Sequence, residues 1–285
     1  TEYGMLLYYS EHWDKLFATF GHGGGKPWLY MSDDRGASWS ISVGIPHNQT
    51  IYYGGMDETD AGVLYFGNYG NSSAAGYGDT GYAYINKSLD GGATWSIETS
   101  FVAYHIHSVG VAHDGTLFAG YGDKGADIYH PTNGTMFKSP GGSWQNLTEF
   151  EIGMAAQPTD IFRTENITFF GSDGAKAPSV WTYNGTEYRS SVVGPTSAPL
   201  YSFYNRDFEE ANGVVYAPTF LNPPGLNKGW QFWATPDEGG HWYRIAEAVG
   251  VDESITDVAA EDDKPYILML DEYTNKMYRI INVER

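Results

Sequence analysis

A short β-type string returns through this chain at a nearly fixed interval. "LFATFG" at Leu16–Gly21 is followed by "LYFGNYG" at Leu64–Gly70, "LFAGYG" at Leu117–Gly122 and "TFFGSDG" at Thr168–Gly174. "VYAPTF" at Val215–Phe220 and "YILML" at Tyr266–Leu270 complete the series. The starts are 48, 53, 51, 47 and 51 residues apart. A strand-based period near 50 fits four-stranded propeller blades. Between the strings, strands alternate with turns, and no helical periodicity of useful length is present. Pro and Gly clusters such as "HGGGKP" and "LNPPGLNKG" fall between strands rather than between domains. The expectation is one all-β domain over residues 1–285, a six-bladed propeller, with five or seven blades as the alternatives.

A second string recurs in three of the repeats: "MSDDRGASWS" at Met31–Ser40, "KSLDGGATWS" at Lys87–Ser96 and "ATPDEGGHWY" at Ala234–Tyr243. The shared pattern is Ser/Thr-x-Asp-x-Gly-x-x-Trp. It is met by Ser32, Asp34, Gly36 and Trp39, by Ser88, Asp90, Gly92 and Trp95, and by Thr235, Asp237, Gly239 and Trp242. A shortened form without the Asp spans Ser139–Trp144. An Asp carboxylate accepts backbone N–H bonds across a turn, and Gly tolerates the positive φ that such a turn needs. The Trp offers a large apolar face to bury between blades. These four positions staple the hairpin of the third and fourth strands.

The pattern resembles the Asp-box, or bacterial neuraminidase repeat, of the sialidase-like propeller superfamily. In that family the boxes lie opposite the active site, so the resemblance implies a structural role for them. Family sialidases hold the substrate carboxylate with three arginines. Seven Arg are present here, and only Arg163 and Arg206 lie at inner positions. The Arg-Ile-Pro tripeptide expected of such enzymes is absent from the sequence. A sialidase-like glycoside hydrolase is therefore the alternative reading, behind a non-enzymatic binding or structural module.

Composition narrows the partners. Lys and Arg total 16 against 35 Asp and Glu, a formal charge of −19. That argues against binding nucleic acids or anionic membranes, which require basic patches. No apolar run approaches the roughly 20 residues that span a bilayer, so no direct membrane insertion is expected. Cys is absent, which removes disulfide and thiolate chemistry. Asn-x-Ser/Thr sequons occur at Asn48, Asn71, Asn86, Asn133, Asn146, Asn166 and Asn184. Chance predicts roughly two at this Ser and Thr content. The excess points to an N-glycosylated protein, extracellular or displayed on a cell or virion surface.

The first strand of a propeller blade lines the central channel. Aligning the repeats puts His105, His107, Asp160 and Asp257 at candidate channel-mouth positions, with Thr-Asp pairs in two of the blades. Their plainest role is to bond backbone at the loop junctions. The sharper one is to hold a cation or a small polar ligand. No cofactor is expected; were an ion held there, carboxylate and carbonyl oxygens would favour Ca²⁺ and the histidines a transition metal. The Gly-rich loops of the same rim, opposite the boxes, interleave Tyr, Asp and Asn, and suit a glycan or protein partner, with identical subunits as a further partner in an assembly. The sixth repeat offers three strands. The N-terminal residues near Thr1–Met5 are expected to complete it by pairing beside Arg279–Val283.

Overall fold

The computed structural model describes residues 2–22, 28–42, 45, 55–68, 82–102, 105–122, 134–147, 157–173, 179–193, 208–221, 229–249, 255–260, 266–271 and 276–281. The chain divides into two compact units, Thr1–Leu147 and Thr148–Arg285.

The first unit holds three antiparallel sheets. One contains β1 (Glu2–Ser10), β2 (Lys15–His22), β3 (Trp28–Ser32) and β4 (Ser40–Ile41) in sequence order. The next contains β5 (Met56–Glu58), β6 (Leu64–Asn68), β7 (Tyr82–Ser88) and β8 (Ser96–Val102). The third contains β9 (His105–Val111), β10 (Leu117–Gly122), β11 (Gly134–Lys138) and β12 (Gln145–Leu147). The second unit holds two further four-stranded sheets. These are β13 (Gln157–Arg163), β14 (Thr168–Asp173), β15 (Ser179–Tyr183) and β16 (Tyr188–Val192), then β17 (Glu209–Ala211), β18 (Val214–Leu221), β19 (Gly229–Thr235) and β20 (Tyr243–Val249). Its last sheet has, among the described residues, β21 (Ile255–Ala260), β22 (Tyr266–Asp271) and β23 (Lys276–Ile281).

The blade count is thus corrected from six to five: five sheets are complete four-stranded meanders and the last is not. The expected strand exchange is overturned with it. Glu2, Tyr3 and Gly4 pair with His22, Gly21 and Phe20 inside the first sheet. The β1–β2 connection is a four-residue turn over Glu11–Asp14. Closing so short a loop costs far less entropy than recruiting the same residues to a strand some 270 positions away.

The recurring string is the second strand of its sheet, and in the middle sheet of each unit it is apolar on both faces because both faces are covered. Along β6, Leu64 and Phe66 join Phe17, Leu29, Met56 and Trp95 in a core shared with the first blade. Tyr65, between them, joins Ile85, Ile106, Val109 and Leu117 in the core shared with the third. β18 repeats the arrangement. Val215 and Ala217 pack with Phe169 and Phe208 toward the fourth blade, and Tyr216 packs with Trp230, Phe232 and Val258 toward the last sheet. Core therefore lies between sheets rather than inside them, as in sheet-on-sheet packing.

Candidate functional site

The three full recurrent turns share one bonding pattern. In the first, the Ser32 hydroxyl donates to Asp34 Oδ1 at 2.8 Å and accepts from the Gly36 N–H at 2.8 Å. Asp34 then accepts from the Ser38 N–H at 2.8 Å and the Ser38 hydroxyl at 2.6 Å. In the second, Ser88, Asp90, Gly92 and Thr94 make the same contacts. In the third, Thr235, Asp237, Gly239 and His241 do so, with His241 Nδ1 2.5 Å from Asp237 Oδ2. The residue before the Trp is the member that the four-position pattern left out. Its signal was present in the sequence: Ser, Thr and His are all able to donate to the free carboxylate oxygen.

Two consecutive residues with positive φ bend each turn: Arg35 and Gly36, Gly91 and Gly92, Glu238 and Gly239. The hydrogen bonds from Ser38, and the one from Ser32, hold the Asp34 carboxyl down at about 2, from 3.8. Asp90 is lowered by Thr94 and Asp237 by His241 in the same way.

The turns are also joints. Ser42, at the end of the first blade, donates its hydroxyl to the Gly92 carbonyl at 2.6 Å and accepts the Trp95 indole N–H at 2.9 Å. Ser191 donates to the Gly239 carbonyl at 2.6 Å in the second unit. Trp95 is accordingly buried, and Trp242 is half-buried with its ring edge-on to Phe169. Trp39 differs from the expected buried position and is 39% exposed. It belongs to the first sheet of its unit, which has a neighbouring sheet of that unit on one face only, and Leu7, Tyr9 and Ile41 are exposed with it.

Carboxylates outside the turns serve the joints as well. Asp57 accepts from the Val111 N–H of the next blade at 2.7 Å. Asp160 accepts from the Phe208 N–H at 2.8 Å, again across a blade boundary. Glu58 takes the Ser10 hydroxyl at 2.6 Å and the His12 N–H at 3.1 Å. Glu98 lies between Lys87, at 2.8 Å, and Lys138 of the following blade. Burial raises the pKa of Glu98, but the two ammonium groups outweigh it and leave the carboxyl below its usual value. Apart from Lys87–Glu98, which lies within one hairpin, these pairings join residues 40 or more positions apart, and apart from Asp160 none of these carboxylates was singled out in the sequence.

The Thr-Asp pairs have a backbone meaning. The register shifts between Pro158 and Asp160 and between Ile255 and Asp257, so each Thr is the extra residue of a bulge. His107 holds the same place in the third blade, between Ile106 and Ser108. A bulge re-aims the residue that follows it. At Asp160 that residue turns to the next blade's backbone. Asp257 pairs with Leu270 through its backbone, and its side chain, like that of His105, lies outside the described residues. His105 and His107 belong to the first unit, Asp160 and Asp257 to the second. Among the described residues no group of three His, Cys, Asp or Glu side chains is placed to hold a metal ion.

One inner-strand group was missed altogether. Burial, with Glu210 beside it, raises the Glu209 carboxyl to about 7 from 4.5. The greater part of the expected rim loops "GHGGGKP", "NYGNSSAAGYGDTGY", "YGDKGADIYHPTNG", "GSDGAKAPS" and "FLNPPGLNKGW", residues 23–27, 69–81, 123–133, 174–178 and 222–228, lies outside the described residues. So do the sequon asparagines Asn48, Asn71 and Asn133. Asn146, Asn166 and Asn184 are exposed. Asn86 is 0% exposed on β7, so a glycan there is incompatible with the folded blade and Asn86 leaves the set of acceptors. A groove of about 210 Å³ runs between the β15–β16 turn and the third recurrent turn, lined by Thr182, Asn184, Glu187, Arg189, Asp237 and Glu238 among others.

No family profile matches the sequence, and no curated protein does. Solved structures do match its fold. A PL25 ulvan lyase is 16% identical with a TM-score of 0.52, the match covering 98% of this chain and 78% of the lyase chain. The Hadza microbial sialidase Hz136 is 13% identical with a TM-score of 0.54, covering 93% of this chain and 62% of that one. YCF48 bound to D1 peptide is 12% identical with a TM-score of 0.54, covering 95% and 75%. Likeness at this identity establishes fold and nothing finer: the chain is an all-β protein with a β-propeller fold.

Proposed function

We propose that this chain is a secreted or surface-displayed propeller that acts as a non-enzymatic recognition or structural module, and that its recurrent turns are Asp-boxes. The observation that carries this reading is where its recurrent carboxylates are spent. Asp34, Asp90 and Asp237 bond their own turns, and Asp57 and Asp160 bond the backbone of the next blade. A glycosidase needs two carboxyl groups left facing a sugar. These carboxylates face protein donors instead. Glycan or protein contact is then the work of the Gly- and Tyr-rich loops. One solved structure of this fold carries a bound peptide, YCF48 with D1 peptide, and another is a nidogen/laminin complex.

The test is a pair of measurements on the purified chain. Binding to a glycan array or to extracellular protein fractions is expected without turnover. Release of fluorophore from a sialoside substrate, abolished by Arg163→Ala or Arg206→Ala, would overturn the reading in favour of a sialidase-like hydrolase.

A further inference from the structure

We propose that Asn184 carries an N-linked oligosaccharide whose first sugar lies in the groove beside it. The inference rests on the extracellular reading above and goes further by assigning one site. Asn184 is exposed at the tip of the β15–β16 hairpin. Its Oδ1 accepts from the Thr186 N–H at 3.0 Å, the Thr186 hydroxyl at 3.0 Å and the Glu187 N–H at 2.8 Å. All of these bonds use the oxygen, and Nδ2, the atom that bears the sugar, makes none of them. This is an Asx-turn that fixes the side chain's direction while leaving its nitrogen outward.

The other described sequons are less favourable or different in kind. Asn86 is buried. Asn166 spends its Nδ2 on Glu238 Oε1 at 3.0 Å. Asn146 is exposed, its Oδ1 accepting the Tyr121 hydroxyl at 3.2 Å, and it is a second acceptor, but it lies on strand β12 and does not line the groove at Asn184. That groove offers the Arg189 guanidinium and the Glu187 and Glu238 carboxylates, a donor and two acceptors suited to sugar hydroxyls.

In the attachment step, Asn184 Nδ2 forms a bond to the anomeric carbon of a lipid-diphosphate-linked oligosaccharide. The sugar–phosphate bond breaks, the lipid diphosphate leaves, and the amide proton passes to a base. The donor and its transferase belong to the secretory or surface apparatus of the producing cell.

The experiment maps glycopeptides of the natively produced protein by mass spectrometry and times enzymatic deglycosylation of the folded and denatured chain. Glycan is expected at Asn184 and Asn146 and none at Asn86. Thr186→Ala should remove one glycan mass and leave the others. If the first sugar lies in the groove, release from Asn184 in the folded chain is at least several-fold slower than from Asn146, and equal after denaturation. Glycans present elsewhere but not at Asn184 overturn this inference alone. Equal release rates in the folded chain overturn the groove placement. A bare chain mass of 31.5 kDa overturns the inference and the extracellular reading together.

Discussion

The Ser42 hydroxyl donates to the Gly92 carbonyl across 2.6 Å, tying the end of the first blade to the recurrent turn of the second. Ser191 and Gly239 repeat that bond at the same distance in the second unit. Ser42→Ala and Ser191→Ala should each cost about 1 kcal/mol, the net worth of a buried hydrogen bond. Ser42→Ala should cost more, because Trp95 also donates to that oxygen. Denaturant midpoints of the two variants check this; an unchanged midpoint for both would mean that the bonds are not formed in solution.

Arg35 and Glu238 hold φ values of 57° and 56°, which L side chains adopt at a cost. Replacing either with Gly should stabilise the protein by roughly 0.5–1 kcal/mol, the relief of strain exceeding the added chain entropy. Gly91 occupies the matching place in the second turn, but its φ of 65° is joined by crowding: a Cβ there would meet Trp13 at 2.8 Å. Gly91→Ala should lower the melting temperature where Arg35→Gly and Glu238→Gly raise it. Thermal scans of the three variants decide the matter.

The three turn aspartates make stability fall in acid. Their carboxyls are held down in the folded protein, Asp34 to about 2 from 3.8, by hydrogen bonds to the charged form. A depressed acid contributes stability that is present above its unfolded value and lost as pH falls through the folded one. The melting temperature should therefore drop between about pH 4 and pH 2. In Asp90→Asn the drop should be shallower. A flat profile across that window would remove the turns from any role in acid stability.

Glu209 has the opposite sign. Its carboxyl is raised to about 7 from 4.5, so its contribution is intact below the lower value and lost as pH climbs through the upper one. Glu209→Gln should stabilise the protein at pH 8, by roughly 1 kcal/mol once solvent screening of a partly exposed group is allowed for. At pH 4.5 it should be close to neutral. Equal effects at both pH values would show that Glu209 titrates as an ordinary surface acid.

Which parts of this were legible in the sequence follows the reach of the interactions. The recurrent turn could be read because Asp34 and Ser38, or Asp237 and His241, bond across four positions, and such a contact leaves its residues side by side in the string. The strand period could be read because a strand buried on both faces is apolar throughout, as Leu64, Tyr65 and Phe66 are. The joints could not. Asp57 and Val111 are 54 residues apart, and nothing near either announces the other. The same limit misled the blade count. Which strand Glu2–Gly4 would join was a matter of loop closure and not of side-chain pattern, since those residues suit either edge.

The alternating faces of β6 also set how damage would spread. Phe66 reports on the joint with the first blade and Tyr65 on the joint with the third, although they are adjacent in the chain. The middle sheet of a unit is thus a hinge pin common to two leaves. Loosening one leaf strips the pin of half its cover and weakens the next in turn, so within a unit the sheets rise and fall as coupled neighbours in a row. A cavity made at Phe66 would be felt in the third blade, whose shared core does not include it.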